Sequence, residues 1–227
     1  MHQAGFEYVP VDVSTVEAAQ KRVRTDPGYV RKTFKEKWGL AVTTRFDDPV
    51  RDIGLGPNLK LWQGLPATDQ KAWARTLFGD ASHHQDFVWL FDEERLYEAG
   101  GCTKTGVAKV FPAPMLKDNF TNPKDVLVNS DKRIIDARAA WSKCMKAAGY
   151  DYKQDQDEII DEYTQRLADL TQGADPTTLT GAKLTELKKL QQDEISVALA
   201  DLDCQIKHTD SVYRTVEIEI YGRPVSG

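Results

Sequence analysis

The sequence has little cysteine and no long apolar run. Three of its 227 residues are cysteine, and because no C-x-x-C or C-x-x-H spacing occurs, a structural zinc site is not expected. No apolar stretch reaches the roughly 18 residues that a membrane-spanning helix needs. Hydrophobic residues make up 41% and charged residues 29% of the chain, which is the composition of a globular protein.

Motifs of catalysis and cofactor binding are also missing from the sequence. There is no G-x-S-x-G serine and no H-E-x-x-H pair, and segment 54–58, GLGPN, lacks the lysine of a phosphate-binding loop. We therefore predict no catalytic residue and no cofactor. Residues 150–227 carry 8 Lys and Arg against 16 Asp and Glu, and this acidic balance argues against a nucleic acid partner.

The densest polar cluster comprises His83, His84 and Asp86. Two imidazoles and a carboxylate are suitable ligands for a transition metal, so the cluster is the candidate metal site of a metal-assisted hydrolase. Neighbouring residues on a regular helix or strand point in different directions, however, which weakens the case for one shared ion. An exposed loop without metal is the alternative interpretation.

The three cysteines are Cys102, Cys144 and Cys204. An odd number leaves one of them without a partner in the chain. The string MHQAGFEY at residues 1–8 aligns with MKAAGYDY at residues 145–152, which places Cys144 opposite the position just before Met1. We predict that a cysteine at that position pairs with Cys102. If the match is a coincidence, Cys102 is a buried free thiol.

Within the chain, Cys144 and Cys204 are the natural disulfide pair. Both lie on predicted helices that can pack side by side. A bridge that closes a loop of about 60 residues stabilises a fold by about 4 kcal/mol, because it restricts the unfolded chain. We therefore predict that this pair is oxidised.

Hydrophobic spacing predicts three amphipathic helices after residue 129. The first is capped by Asn129 or Ser130 and ends at Gly149, the second spans about 155–171, and the third begins near Thr180 or Gly181 and is long. Short connections between such helices favour antiparallel hairpins.

The apolar positions of these helices define the faces that we expect to be buried. In the first helix they are Ile134, Ala137, Trp141, Met145 and Ala148; in the second, Ile160, Tyr163, Leu167 and Leu170; in the third, Leu184, Leu187, Leu190 or Gln191, Ile195, Ala198, Leu202 and Ile206. The acids of the same helices are expected on the solvent side. The tail Val216–Tyr221 alternates like a strand but also fits a helix face, and we favour helix.

Residues 1–128 are more irregular. Helices are predicted at about 15–24, 27–37, 68–79 and 102–111, with an extended segment at Leu40–Phe46. Four of the five tryptophans lie in this part of the chain: Trp38, Trp62, Trp73 and Trp89. Such a cluster is typical of a hydrophobic core, and an aromatic-lined ligand pocket is the alternative. We expect a mainly α fold with little or no β structure, in which regions 1–128 and 129–227 form one compact unit.

Several short motifs carry a resemblance to other proteins. They are G-G-C at Gly100–Cys102, W-x-x-C-M at Trp141–Met145, E-x-x-V-A-x-A-D-x-x-C at Glu194–Cys204, W-G-L-A-V-T-T at Trp38–Thr44, and the pair Asp48–Pro49. With these motifs the chain resembles an uncharacterised group of secreted or lipid-anchored actinobacterial proteins. The resemblance implies an extracytoplasmic location and a helical fold with paired cysteines, and it implies no catalytic residue. The chain departs from that group in lacking the cysteine ahead of Met1.

Two functions are consistent with the sequence. The first is a non-enzymatic extracytoplasmic protein that binds a protein or small-molecule ligand or serves as an accessory at the cell envelope. Any membrane anchor of such a protein is expected in a segment missing from this chain. The second is the secreted hydrolase, with His83, His84 and Asp86 at its metal site. We expect the first, because cysteines of the disulfide type and helical hairpins occur without a convergent catalytic motif.

Overall fold

The computed structural model describes residues 1–12, 14, 21, 28, 30–45, 55–79, 96–153 and 155–224. Within these ranges the chain forms nine α-helices and no strand, which confirms the predicted mainly α fold. The helices are α1 (Arg31–Trp38), α2 (Asn58–Gln63), α3 (Ala67–Phe78), α4 (Gly101–Val110), α5 (Pro123–Ser130), α6 (Lys132–Ala147), α7 (Gln156–Thr171), α8 (Gly181–His208) and α9 (Asp210–Tyr221). Short 3-10 turns lie at His2–Ala4, Leu96–Glu98, Ala113–Leu116 and Pro176–Thr178. None of the described helices is long and apolar enough to cross a membrane.

The chain divides into two compact units. The first unit contains Met1–Asp26 and Asp48–Asn122, and the second contains Pro27–Asp47 and Pro123–Gly227. The sequence predicts regions 1–128 and 129–227 as parts of one compact unit, whereas the structure has two units and assigns segment 27–47 to the second. The reason is that side chains and backbone groups of this segment bond to acids of α8, as described below.

The first unit is organised around α3. Trp73, Leu77 and Phe78 of this helix are buried, and Leu55 packs in the same cluster. Gly79 follows the helix with φ of 91°, a conformation that glycine adopts readily. Next to it, a Cβ atom on Gly100 would lie 2.2 Å from the carbonyl oxygen of Phe78. The start of α4 therefore approaches the end of α3 more closely than any side chain permits.

The second unit is a bundle of α1 and α5 to α9. Asp131, one residue after the predicted cap, begins α6 by accepting a hydrogen bond from the backbone N–H of Arg133 at 2.8 Å. The four apolar positions predicted from Ile134 to Met145 are buried, whereas Ala148 is exposed. In α7 the carboxylate of Asp155 is the cap, and the fully buried isoleucine is Ile159 rather than Ile160.

The long helix α8 begins at Gly181 as predicted, but its buried face differs from the predicted stripe. Ile206 is 59% exposed, while Glu194 and Asp201 are fully buried. The prediction that the acids face solvent is therefore wrong for these two residues. Both carboxylates are buried because donors from elsewhere in the second unit surround them.

The tail of the chain is helical, as favoured from the sequence. Helix α9 includes all of Val216–Tyr221, and Val216 is fully buried. Thr209, with φ of −113°, separates α9 from α8. The tail is thus a separate short helix rather than an unbroken continuation of α8.

The segment predicted as extended has turns and bends at residues 39–44 instead of a strand. Ala41 has φ of 64°. Three backbone N–H groups of this segment bond to one carboxylate of α8, so they are not available for a strand partner. Phe46, the end of the predicted segment, lies outside the described residues.

Candidate ligand-binding site

A disulfide joins two helices of the second unit, α6 and α8. Cys144 and Cys204 are bonded, with their Cα atoms 5.7 Å apart and a sequence separation of 60 residues. The predicted pair is therefore confirmed. The bond holds α6 against α8 one turn from Trp141 and Asp201, the residues from which the candidate site is built.

Asp201 accepts hydrogen bonds from three side chains inside the bundle. The donors are Lys35 Nζ at 3.1 Å, Trp141 Nε1 at 3.0 Å and Gln205 Nε2 at 2.7 and 2.9 Å. Burial lowers the pKa of Lys35, and the neighbouring Asp201 carboxylate partly opposes this effect. An aspartate so placed fixes α1, α6 and α8 relative to one another, because each donor comes from one of these helices.

Glu194 has a similar role two turns earlier on α8. Its carboxylate accepts from the backbone N–H groups of Leu40, Val42 and Thr43 at 2.8, 3.0 and 2.6 Å, and from the hydroxyl of Thr43 at 2.5 Å. Four donors satisfy a buried carboxylate well. This arrangement anchors the segment after α1 to α8 and so fixes the position of α1.

A cavity of about 420 Å³ lies in the second unit beside this network. It is bounded by α1, α6, the start of α7 and the junction of α8 with α9. Its lining residues are Arg31, Arg138, Trp141, Asp155, Gln156, Gln205, Thr209, Asp210, Tyr213 and Arg214. The buried indole of Trp141 and the side chain of Gln205 connect the cavity to Asp201.

Arg31 and Asp210 form an ion pair on the cavity wall. The guanidinium donates to both carboxylate oxygens, at 2.6 and 3.2 Å. It also donates to the side-chain oxygen of Gln205. The two opposite charges cancel locally, and the bidentate geometry orients the arginine at the cavity edge.

Arg138 and Tyr213 form the second fixed pair. Arg138 Nε donates to the Tyr213 hydroxyl at 2.6 Å, and its Nη2 donates to Asn129 Oδ1 at 2.6 Å. Burial raises the pKa of Tyr213, although Arg138 works in the opposite direction. The phenol is therefore neutral at ordinary pH, and its oxygen accepts from Arg138 while its own O–H can donate elsewhere.

Several polar groups of the lining have no hydrogen-bond partner among the described residues. They include Nη1 of Arg138, the amide nitrogen of Gln156 and the whole guanidinium of Arg214, which is exposed. Asp155 Oδ1 accepts from the N–H of Asp157 at 3.2 Å. The cavity thus has more donors than acceptors available to a ligand.

The residues that the sequence singled out lie elsewhere or outside the described chain. His83, His84, Asp86 and Trp89 all fall outside the described residues. In the described ranges, no group of three or more His, Cys, Asp or Glu is arranged to hold a metal. The metal site therefore stays a prediction.

The tryptophans are divided between the two units. Trp73 is 1% exposed, and half-buried Trp62 packs against the same cluster of the first unit. Trp38 ends α1 in the second unit and is also half-buried. A pocket formed by all four tryptophans stays a prediction, since Trp89 is not described.

Cys102 is free and half-buried in the first unit. The amino group of Met1 donates to its sulfur at 3.3 Å. A residue joined to the Met1 nitrogen would be close to the Cys102 thiol, as the predicted pairing requires. That pairing stays a prediction.

Sequence reasoning did not find the cavity. Its residues come from five places in the chain and share no motif. One signal was available: Glu194 and Asp201 fit the buried face of α8 with Leu187, Leu190 and Val197, at helical spacings of three and four residues. Acids on such a face indicate a buried polar network.

Comparison with known proteins gives no further identification. No protein-family profile, curated protein or solved structure matches the chain.

Proposed function

We propose that this is a non-enzymatic extracytoplasmic binding protein, and that its ligand site is the cavity of the second unit. The observation that carries the proposal is the cavity itself, with its fixed arginine pairs and its unpaired donors. A volume of about 420 Å³ suits a small molecule, since ligand pockets usually measure about 300–1,000 Å³. A role as an accessory at the cell envelope is compatible with such binding.

The lining favours binding over catalysis. Among the described residues no histidine, cysteine or lysine borders the cavity. Its two aspartates are engaged, Asp155 as the cap of α7 and Asp210 in the ion pair with Arg31. Arg31, Arg138 and Gln205 are instead held by neighbouring side chains. Groups fixed in this way lose little entropy when they bind a ligand, and this preorganisation favours affinity.

The disulfide supports the extracytoplasmic location. The Cys144–Cys204 bond lies between α6 and α8, with Cys204 buried and Cys144 half-buried. Structural disulfides persist mainly in oxidising compartments. Alkylation of unreduced protein in intact cells of the native source tests this point. We expect both cysteines to be protected until a reductant is added, and modification of both without reductant would contradict the location.

Binding in the cavity can be tested with a variant that fills it. Gln156→Trp places an indole at the cavity wall, whereas Gln192→Trp adds the same group on the exposed face of α8. Ligand-observed NMR against a set of small anionic, cationic and neutral polar molecules identifies binders of the unchanged protein. We expect these binders to be lost with Gln156→Trp and retained with Gln192→Trp. Absence of any binder, or equal binding by both variants, would refute the proposal.

A further inference from the structure

The charges around the cavity do not balance. Three arginines and two aspartates line it. Arg31 and Asp210 neutralise one another. Arg138 and Arg214 then face the single carboxylate of Asp155, so the lining carries one net positive charge.

The third charged group, the carboxylate of Asp155, already accepts one hydrogen bond within the protein. Asp155 caps α7, where its Oδ1 accepts from the backbone N–H of Asp157. The positive end of the helix dipole also lies at this carboxylate and offsets its charge. The Asp155 carboxylate therefore repels an anion in the cavity less strongly than an isolated aspartate would.

The hydrogen-bonding groups show the same imbalance. Tyr213 has a free O–H hydrogen because its oxygen accepts from Arg138. Gln156 accepts from Gln205 at 3.1 Å, which leaves its amide N–H groups available. With the guanidinium of Arg214 and Nη1 of Arg138, these make four donor groups among the residues that line the cavity. A group rich in acceptors and negatively charged is their natural complement.

We propose that the ligand of this cavity is a small organic oxyanion, a carboxylate or a phosphate monoester, bound by Arg138, Arg214, Tyr213 and Gln156. This inference rests on the proposed binding function and specifies its ligand class. Arg138 is preorganised by its bonds to Tyr213 and Asn129. Arg214 is exposed and has no partner among the described residues, and it supplies a charge that none of the described acids pairs with.

Titration followed by NMR at the Trp141 indole N–H tests the inference, because the side chain of Trp141 lines the cavity. The probes are inorganic phosphate and benzoate, with benzyl alcohol and benzylamine as neutral and cationic counterparts, all at constant ionic strength. We expect a saturable shift with phosphate, with benzoate or with both, and none with the other two. Which anion binds distinguishes a phosphate ligand from a carboxylate ligand.

A charge-removing variant with a matched control completes the test. Arg214→Gln should weaken the affinity for the binding anion by about tenfold or more, as expected for loss of one charge-assisted hydrogen bond. Arg223→Gln removes the same charge from an exposed position that does not border the cavity, and it should leave the affinity unchanged. Equal weakening by both variants would show nonspecific electrostatic binding and overturn the inference.

The experiments distinguish a cavity that binds small molecules other than oxyanions from a cavity that binds no small molecule. If benzyl alcohol or benzylamine binds as well as the anions and Gln156→Trp abolishes that binding, the cavity is a binding site but not one for oxyanions. If neither anion produces a saturable shift, the inference is also overturned. In that case, the screen with Gln156→Trp decides separately whether the cavity binds other molecules.

Discussion

At the residue scale, the second unit depends on carboxylates placed where apolar side chains usually lie. Asp201 is fully buried, and its partner Lys35 is 6% exposed. Removing two charges from water costs several kcal/mol for each ion, and only good geometry with additional hydrogen bonds offsets this cost. Trp141 and Gln205 provide those bonds to Asp201.

Asp201→Asn should destabilise the protein by about 3–5 kcal/mol, because it leaves the ammonium of Lys35 buried without a counter-ion. Asparagine has nearly the same shape, so packing is little affected. Urea unfolding provides the free energy of unfolding. Asp203→Asn, at an exposed position of the same helix, should change it by no more than about 0.5 kcal/mol. Similar small effects of both substitutions would show that the buried pair contributes nothing.

The cysteines allow a second prediction at this scale. Denatured, unreduced protein should contain one free thiol, that of Cys102, because Cys144 and Cys204 are bonded. Adding a cysteine ahead of Met1 should lower this number to zero, since the Met1 nitrogen lies 3.3 Å from the Cys102 sulfur. Thiol titration and intact mass measure the change.

The control for that experiment adds an alanine ahead of Met1 and should retain one thiol. Combining the added cysteine with Cys102→Ser should also leave one thiol. Two free thiols in the protein with the added cysteine and an unchanged Cys102 would contradict the predicted pairing.

At the scale of elements, the crossing of α3 and α4 requires a glycine. Gly100 has φ of −114°, which any residue can adopt. The constraint is instead the Phe78 carbonyl oxygen, 2.2 Å from the position of a Cβ atom. This oxygen belongs to the backbone, so it cannot move without displacing α3.

Gly100→Ala should therefore lower the free energy of unfolding by about 1–3 kcal/mol, the usual cost of overpacking. Gly106 provides the matched control, because it lies within α4 and a Cβ atom there meets nothing within 4 Å. Gly106→Ala should raise stability by about 0.5–1 kcal/mol, as alanine is the better helix former. Denaturant unfolding of both variants checks the contrast, and stabilisation by Gly100→Ala would contradict the described crossing.

The sequence predicted helices better than it predicted which polar groups are buried. Helices α6 to α8 follow from local apolar spacing, and the disulfide follows from two cysteines on neighbouring helices. The burial of Asp201 depends on Lys35, 166 residues away, and that of Glu194 on Thr43, 151 residues away. The spacing of Glu194 and Asp201 along α8 indicates that they are buried, but no local pattern contains such distant donors. The partners of the two acids and the cavity beside them could therefore not be predicted.

At the scale of the whole molecule, stability should fall at alkaline pH. Burial raises the pKa of Tyr152 and Tyr163 well above the usual value, and hydrogen bonds to Glu162 and Asp193 add to the effect. A raised tyrosine pKa means that the folded state retains a proton that the unfolded state releases. The resulting stability is present below a pH of about 10 and is lost as the pH rises further.

Tyr163→Phe removes one of these titrating groups without removing the ring. The loss of unfolding free energy between about pH 8 and about pH 11 should be smaller in this variant than in the unchanged protein. Urea unfolding at the two pH values measures the difference. An identical loss in both proteins would show that Tyr163 does not contribute to the alkaline effect.

The central claim is that the cavity of the second unit holds a small molecule. Native mass spectrometry of the protein isolated from its own cells tests it most directly, with Gln156→Trp expressed and isolated in the same way. We predict an additional small-molecule mass on the unchanged protein and on Gln192→Trp, lost on denaturation and missing from Gln156→Trp. A bare mass for all three proteins, or an additional mass that Gln156→Trp retains, would contradict the account.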